Sequence, residues 1–358
     1  MTEGVVAGHS RTLMWIAKAM FIAGIGVVVP GLLDVFMELI NKTFRLGIDL
    51  TVPKWAGWLL LASGVALAIW LRLQDDLSSH SPSKSGKKYV AVTHSSFPTA
   101  TQNLGKADLG VTASDEFVAQ ACDLSPFFAG ASPDLTGALR QQGRLIEDLR
   151  ASQRSQTESV YGYAGIVHIP LQFHLGSAIS TGRNVRLFDK ERVSQQWREL
   201  QPTGPSLGVE VNWGDAPDGA AIATVRVEVS YRVDAQAVRE VVPPPSIEVV
   251  ISLDNPRLDA VTAYSQIEEM CVAFRKLMDD LHQRLPPHGE VHVFYAGPVC
   301  LGFSLGRQLS RTIHPKTFIY NYDRQSRPAY AWSIAANSSQ DDVRVAKATC
   351  ERSANAHV

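Results

Sequence analysis

The sequence predicts an α/β protein: two Rossmann-like units in tandem, preceded by an all-α membrane hairpin. Three observations predict this. Beyond Tyr89, short β-rich apolar runs alternate with longer helical patterns. Part of that order occurs twice, near residue 166 and again near residue 292. The first 75 residues are mostly apolar and different in kind.

The clearest membrane segment is "WAGWLLLASGVALAIWL", Trp55 to Leu71, which carries no charge. At 1.5 Å per residue it covers about 25 Å, close to the hydrocarbon thickness, and Trp55, Trp58 and Trp70 suit the two interfaces. Leu13 to Ile40 is also mostly apolar but includes Lys18, Pro30, Asp34 and Glu38. No A-x-A-like cleavage site follows its first apolar run, and apolar character resumes past Pro30. It therefore reads as a retained helix rather than a cleaved signal. The expected organisation is a transmembrane hairpin over 1–75 (helices at about 13–37 and 55–72), then a Ser-rich linker over 76–88. Lys42, Arg45 and Lys54 lie in the connecting loop, whereas Arg11, Lys18, Arg72, Lys84, Lys87 and Lys88 flank the pair. That balance puts both termini in the cytoplasm. Asp34 falls inside the membrane or at its edge, and Ala62/Ala66 and Gly64/Ala68 permit close contact between helices of different copies.

The soluble elements follow in order. "YVAVTH" (89–94) is a buried-type strand. In "SPDLTGALRQQGRLIEDLRASQ" Ser132 is placed to cap a helix, Pro133 to open it, and Leu135, Leu139, Ile146 and Leu149 share one face. "GIVHIP", "LQFHLGSAIS" and "NVRLFD" read as strand, helix and strand, completing a first unit over 89–200. A second unit over 220–340 has strands in "AIATVRVEVSY" and "SIEVVISL", then a long helix capped by Ser265. "VHVFY", a helix through "VCLGFSLGRQLSR", and strands in "FIYNYD" and "YAWSIA" complete it, leaving a tail over 341–358. Strands interleaved with helices predict parallel, doubly wound sheets.

Placing 166–176 on 292–302 aligns "IVHIPLQFHLG" with "HVFYAGPVCLG", each a strand, a Pro-containing turn and a helix bearing Leu-Gly. With eight extra residues in the second copy, "VRLFDK" meets "IYNYDR". The pattern predicts a duplicated unit.

"GFSLG" (302–306) matches the G-x-S-x-G nucleophile elbow, which needs its serine at a strand's end. Here the strand ends near Tyr295 and Pro298 opens the helix, so Ser304 falls nearly two turns inside it. Gly297 and Gly302 have P-loop spacing, but Phe303 replaces the lysine, and no G-x-G-x-x-G follows the first strand. His168 and His174 straddle a strand-to-helix turn and suit packing or ligand contact better than metal binding. The formal charge of −1 offers no polyanion-binding field, and residues 1–85 (7 Lys/Arg, 6 Asp/Glu) are no basic module either. Cys122, Cys271, Cys300 and Cys350 form no C-x-x-C, which argues for a reducing compartment without zinc.

In "VHVFYAGPVCLGFSLGRQLSR…FIYNYDR…YAW" the chain resembles the carboxy-terminal part of SAVED domains. The features are the Ala296-Gly297-Pro298 turn, the helix ending Leu305-Gly306-Arg307, the aromatic strand ending at Asp323, and the Tyr330/Trp332 strand. The resemblance covers roughly 88–340 and is strongest after 290. SAVED domains are second-messenger sensors of CBASS antiphage systems, built from two fused CARF-like Rossmann units. The resemblance implies a cyclic di- or trinucleotide ligand made by a cognate nucleotidyltransferase, with no cofactor, metal, or DNA or RNA duplex. It also implies ligand-driven self-association and an effector, here the hairpin with Asp34, Trp55 and Trp70, that disrupts the inner membrane and kills the infected cell.

In doubly wound sheets ligands lie beyond the carboxyl ends of the strands. That placement nominates His94, Ser95, Ser96 and Phe97 after the first strand, and Pro170, Gln172, Phe173 and His174 after the third. It nominates Tyr295, Ala296, Gly297 and Pro298 in the second unit, with Arg307, Arg324 and Arg327 as phosphate or subunit contacts. Two rival readings remain: a membrane-tethered enzyme using Ser304 (a hydrolase, or a ring nuclease with no distinct motif), and a tethered scaffold that binds only protein.

Overall fold

The computed structural model describes residues 86–346 except 99–101, 131, 154–158, 180–181, 183, 192–193, 215 and 339–341. The predicted hairpin, with Asp34, Trp55 and Trp70, lies outside the described residues, as do linker residues 76–85 and the tail beyond 346. Among the described residues no helix is long and apolar enough to cross a membrane.

The first sheet has five strands in the order β2-β1-β3-β4-β5. Its elements run β1 (Lys88–Ser95), α1 (Lys106–Leu109), β2 (Glu116–Asp123), a 3₁₀ turn (Ser125–Phe128) and α2 (Leu135–Gln153), then β3 (Ser159–Ile166), α3 (Ile169–Ala178), β4 (Val185–Lys190) and β5 (Trp197–Glu199). The second sheet has seven strands in the order β12-β11-β10-β9-β7-β8-β6. It is built from β6 (Val209–Trp213), β7 (Ile222–Glu228), α4 (Ala235–Val241), β8 (Ile247–Leu253), α5 (Tyr264–Arg284), β9 (Glu290–Ala296), α6 (Val299–Gly306), β10 (Lys316–Asn321), β11 (Trp332–Ala335) and β12 (Val343–Val345).

Four central strands of each sheet are parallel: β2-β1-β3-β4 in the first, β8-β7-β9-β10 in the second. Each set gains an antiparallel neighbour at the same end, β5 beside β4 and β11 beside β10. The sheets are therefore mixed, not purely parallel as the strand–helix alternation suggested. A three- or four-residue strand that returns directly after β4 or β10 has no room for a crossover helix, so it must run antiparallel.

The duplication is present in the topology, but in a different register from the sequence alignment. Strand β3 with α3 and strand β9 with α6 correspond at 130 residues' separation, Leu171 with Leu301. This places "LQFHLG" (171–176) on "LGFSLG" (301–306), a shared L-x-F-x-L-G. The earlier alignment was four residues out because it matched the first available Leu-Gly. In β4 and β10, Val185 and Thr317 pair with Tyr161 and Val291. Only two extra residues are therefore needed instead of eight, and Asp189 corresponds to Asn321 rather than Asp323.

The shared motif explains how the sheets join. Helices α3 and α6 pack on each other, and each sends its phenylalanine across to the other unit. Phe303 stacks on Tyr163 of β3 at 3.8 Å, and Phe173 meets Tyr295 of β9 edge-on at 5.3 Å. All four rings are essentially inaccessible to water. Burying a side chain of this size contributes about 2–3 kcal/mol, so the joint is among the most stable parts of the core.

Two helix caps also differ from expectation. Asp134, not Ser132, caps α2: its Oδ1 accepts from Gly137 N at 2.9 Å. Helix α5 starts at Tyr264, because Gln266 Oε1 takes the N–H groups of Thr262 and Ala263. Ser265 Oγ instead accepts from Gly204 N at 3.0 Å.

Candidate functional site

A cleft of about 760 Å³ opens at the carboxyl ends of β1 and β3 and extends to the carboxyl end of β10. Strand geometry delivers its parts. Ser96 and Phe97 follow β1, and Ser96 N donates to Ile166 O (3.1 Å), which holds the turn against β3. Val167 and His168 follow β3, and the 3₁₀ turn after β2 brings Phe128. Tyr322, Asp323 and Arg324 follow β10, and Trp332 begins β11.

His168 is the centre of the cleft. It is the residue before α3, and its ring is stacked between Phe128 (4.1 Å) and Phe97 (4.4 Å), each inclined by 21°. Two rings cannot share one face at such distances, so each covers a separate face of the imidazole. Trp332 lies 5.8 Å from His168 and 6.0 Å from Phe128. Ser96 Oγ accepts from His168 N (2.8 Å) and lies 2.6 Å from Nδ1. Burial lowers the His168 pKa to about 4, against a smaller opposing pull from Asp323. The ring is therefore neutral at pH 7. The Ser96 hydroxyl engages Nδ1 and so fixes the orientation of the ring, whichever ring nitrogen carries the proton.

Polar side chains share the lining with the rings, among them Ser132, Asn321, Tyr322 and Ser326. Asp323 Oδ2 accepts from Ser326 Oγ (2.6 Å) and Oδ1 from Gln325 N (2.9 Å), which holds its carboxyl below the usual range. Arg324 is the one cationic side chain in the lining among the described residues. Flat rings interleaved with polar side chains fit stacking and edge recognition of nucleobases, and the volume is within the usual range for a small-molecule site.

Of the residues nominated from sequence, the structure brings Phe97 and Arg324 into this cleft and sets Ser96 beneath it as the support of His168. Ser95 Oγ turns to Asp123 (3.3 Å). His94 is fully buried beside Tyr163. Pro170, Gln172, Phe173 and His174 are buried in the packing of α3, where Gln142 Nε2 is 2.8 Å from His174 Nδ1. In the second unit Tyr295 is buried and its hydroxyl donates to Pro298 O (2.7 Å). Ala296 O accepts from Val229 N and Ser230 N, Gly297 lies against the Tyr295 ring, and Pro298 precedes α6. Arg307 is largely buried and lines a separate groove with α5, and Arg327 Nη1 donates to Arg324 O and Ser326 O. Side chains sealed in the core have no surface to offer a ligand in this arrangement.

The nominated set lacked Phe128, Tyr322, Asp323 and Trp332, which line the cleft, and His168 had been read only as a packing or ligand-contact residue. His168 carried a usable signal: it is the last residue before a helix that follows a central strand, where the crevice rule points. Ser304 is buried inside α6, and its hydroxyl donates to Cys300 O (2.8 Å), four residues back. Among the described residues no group of three or more His, Cys, Asp or Glu side chains is placed to hold a metal.

The family model described as "SMODS-associated and fused to various effectors sensor domain", SAVED, matches residues 142–335. Those residues run from within α2 to the end of β11 and include His168, Asp323 and Trp332. Solved structures similar to the chain include the Acinetobacter baumannii Cap4 SAVED/CARF-domain receptor with the cyclic trinucleotide 2'3'3'-cAAA (10% identity, TM-score 0.42). The same receptor with 3'3'3'-cAAA gives 12% identity and a TM-score of 0.41, and these matches cover 82% of this chain and 64% of theirs. The Moraxella osloensis Cap4 receptor gives 11% and 0.39, covering 83% of this chain and 64% of its own. The chain thus spans less than two thirds of the length of these receptors. No curated protein matches it. With more than half of its residues inside the family model, the chain belongs to the SAVED family of sensor domains.

Proposed function

We propose that this protein is a membrane-anchored sensor of a cyclic oligonucleotide, with the cleft around His168 as the ligand's seat. The observation that carries the reading is the stack of Phe97, His168 and Phe128 at the carboxyl ends of β1 and β3, which supplies flat faces around an imidazole held in place by Ser96. Membership of a sensor family supports the same reading. Cyclic di- and trinucleotides suit the cleft's volume, and the trinucleotides held by the Acinetobacter receptors are the natural first probes.

Ligand binding then drives self-association of the domain. Clustering raises the local concentration of the amino-terminal helices and converts weak small-residue contacts into a stable array that disrupts the inner membrane. The protein is accordingly a two-helix inner-membrane protein with both termini and the sensor domain in the cytoplasm, acting in antiphage defence through death of the infected cell. Its output is physical, without a catalytic residue, and Asp34 favours a wet interior of the array.

The test is titration of the full chain in detergent micelles with cyclic di- and trinucleotides, following heat and light scattering. Tight binding of one compound with a rise in mass supports a sensor that signals by assembly. A folded protein silent to all compounds sinks the reading and favours a protein-binding scaffold. Ligand-dependent leakage of dye from vesicles holding the protein tests the output, and leakage untouched by Asp34→Leu removes Asp34 from it.

A further inference from the structure

The two rings that cover His168 are not equivalent. Phe128 belongs to the 3₁₀ turn, is half-buried, packs on the main apolar core and also approaches Trp332. Phe97 is 39% exposed, a rare state for a phenylalanine among the described residues, and lies outside the apolar clusters of the core. Its ring contact is the His168 stack itself. One face of His168 is thus covered by a solvent-exposed ring and the other by a ring packed on the core.

We infer that Phe97 is a displaceable surrogate base: its ring occupies the stacking face of His168 that a nucleobase takes, and the base binds by substituting one stack for another. This rests on the reading of the cleft as a nucleotide seat. The physical argument is one of competition. A base entering at His168 exchanges its own stacking on imidazole against that of Phe97, so the net gain is the difference between two similar contacts. Removing the phenyl ring removes the competitor and costs the folded protein little, since the ring is poorly buried. Phe128 has the opposite role of a fixed wall, and its loss weakens binding.

The inference fixes a sign that ordinary lining residues do not share. Truncating an aromatic that clamps a base lowers affinity, whereas truncating one that stands in for it raises affinity. The experiment is calorimetry on the full chain in micelles with 2'3'3'-cAAA, 3'3'3'-cAAA and cyclic dinucleotides, comparing wild type, Phe97→Ala and Phe128→Leu. Thermal unfolding confirms that each variant is folded. The expected result is binding about three- to tenfold tighter for Phe97→Ala, the equivalent of one stacking contact, and weaker binding for Phe128→Leu. Binding by Phe97→Ala alone, with wild type silent, also supports the inference. Wild-type binding that weakens or stays unchanged in Phe97→Ala overturns the surrogate role while leaving the nucleotide seat standing. Silence of both proteins towards every compound overturns the seat and the inference together.

Discussion

Gly176 of α3 lies directly against the backbone carbonyl of Phe303 in α6, and the relationship is returned by Gly306 against the carbonyl of Phe173. A methyl group at Gly306 would also meet Phe173 Cα at 2.8 Å, and the obstacles are backbone atoms of a partner helix, which cannot step aside as a side-chain tip can. In an open helix Gly→Ala gains about 1 kcal/mol. Here the clash reverses the sign: Gly176→Ala and Gly306→Ala are each expected to destabilise by about 2–3 kcal/mol, measured by chemical denaturation. Gly143, with open space around its Cβ position, is the control that should gain stability.

Glu228, at the end of β7, is a nearly inaccessible carboxylate shared by Arg226 Nη1 (3.3 Å), Arg232 Nη1 (3.0 Å) and Val233 N (3.3 Å). Glu228→Ala leaves the half-buried Arg226 guanidinium and a buried N–H without this acceptor. A loss of about 2–3 kcal/mol in unfolding free energy is expected, and a smaller one for Glu228→Gln, which keeps an acceptor.

The buried His94 and His292 and the half-buried His168 set the acid side of the stability curve. Burial lowers His94 to about 3, with Gln142 opposing and His174 reinforcing the shift. It lowers His168 to about 4 and His292 to about 4, the latter with Arg344 reinforcing and Glu290 opposing. Unfolded, each takes a proton near its ordinary 6.5. Between that value and the folded one the unfolded chain binds more protons, so stability falls as the pH drops from about 6.5 towards 4. The limiting slope is about 1.4 kcal/mol per pH unit for each histidine. Denaturation midpoints measured across this range should fall, and His292→Gln should flatten the fall.

Ser304→Ala is expected to change the unfolding free energy by less than about 1 kcal/mol and to leave ligand binding intact, because its hydroxyl only bonds back within its own helix. Loss of cellular function in a folded Ser304→Ala protein would revive the enzyme reading.

Much of the architecture was legible before any coordinates. Continuous apolar runs such as "YVAVTH" and "VHVFY" announced β1 and β9, and the long amphipathic patterns announced α2 and α5. Strand β2 escaped because it lies on a sheet edge: "EFVAQACD" mixes exposed and half-buried positions and has no continuous apolar run. The repeat was visible but misregistered, since Leu-Gly occurs twice within "LGFSLG" and only strand pairing decides between them. The crevice rule pointed to turns that border the cleft, and of the side chains it nominated Phe97 lines it. After β3 it selected Gln172, Phe173 and His174, which the helix turns inward, and passed over His168, which the helix start leaves facing out. Of the cleft residues at β10 and β11 only Arg324 was nominated from the sequence, because nothing in a linear sequence says that Trp332 stands beside a turn more than 160 positions earlier.

The ring that centres the cleft is also the residue from which α3 springs, and α3 is seated glycine to carbonyl on α6. Helix α3 is therefore a short shaft with one end at the cleft and its flank meshed with the second sheet's helix α6. With each helix seated against the other's backbone, α3 cannot slide along α6 without breaking these two contacts.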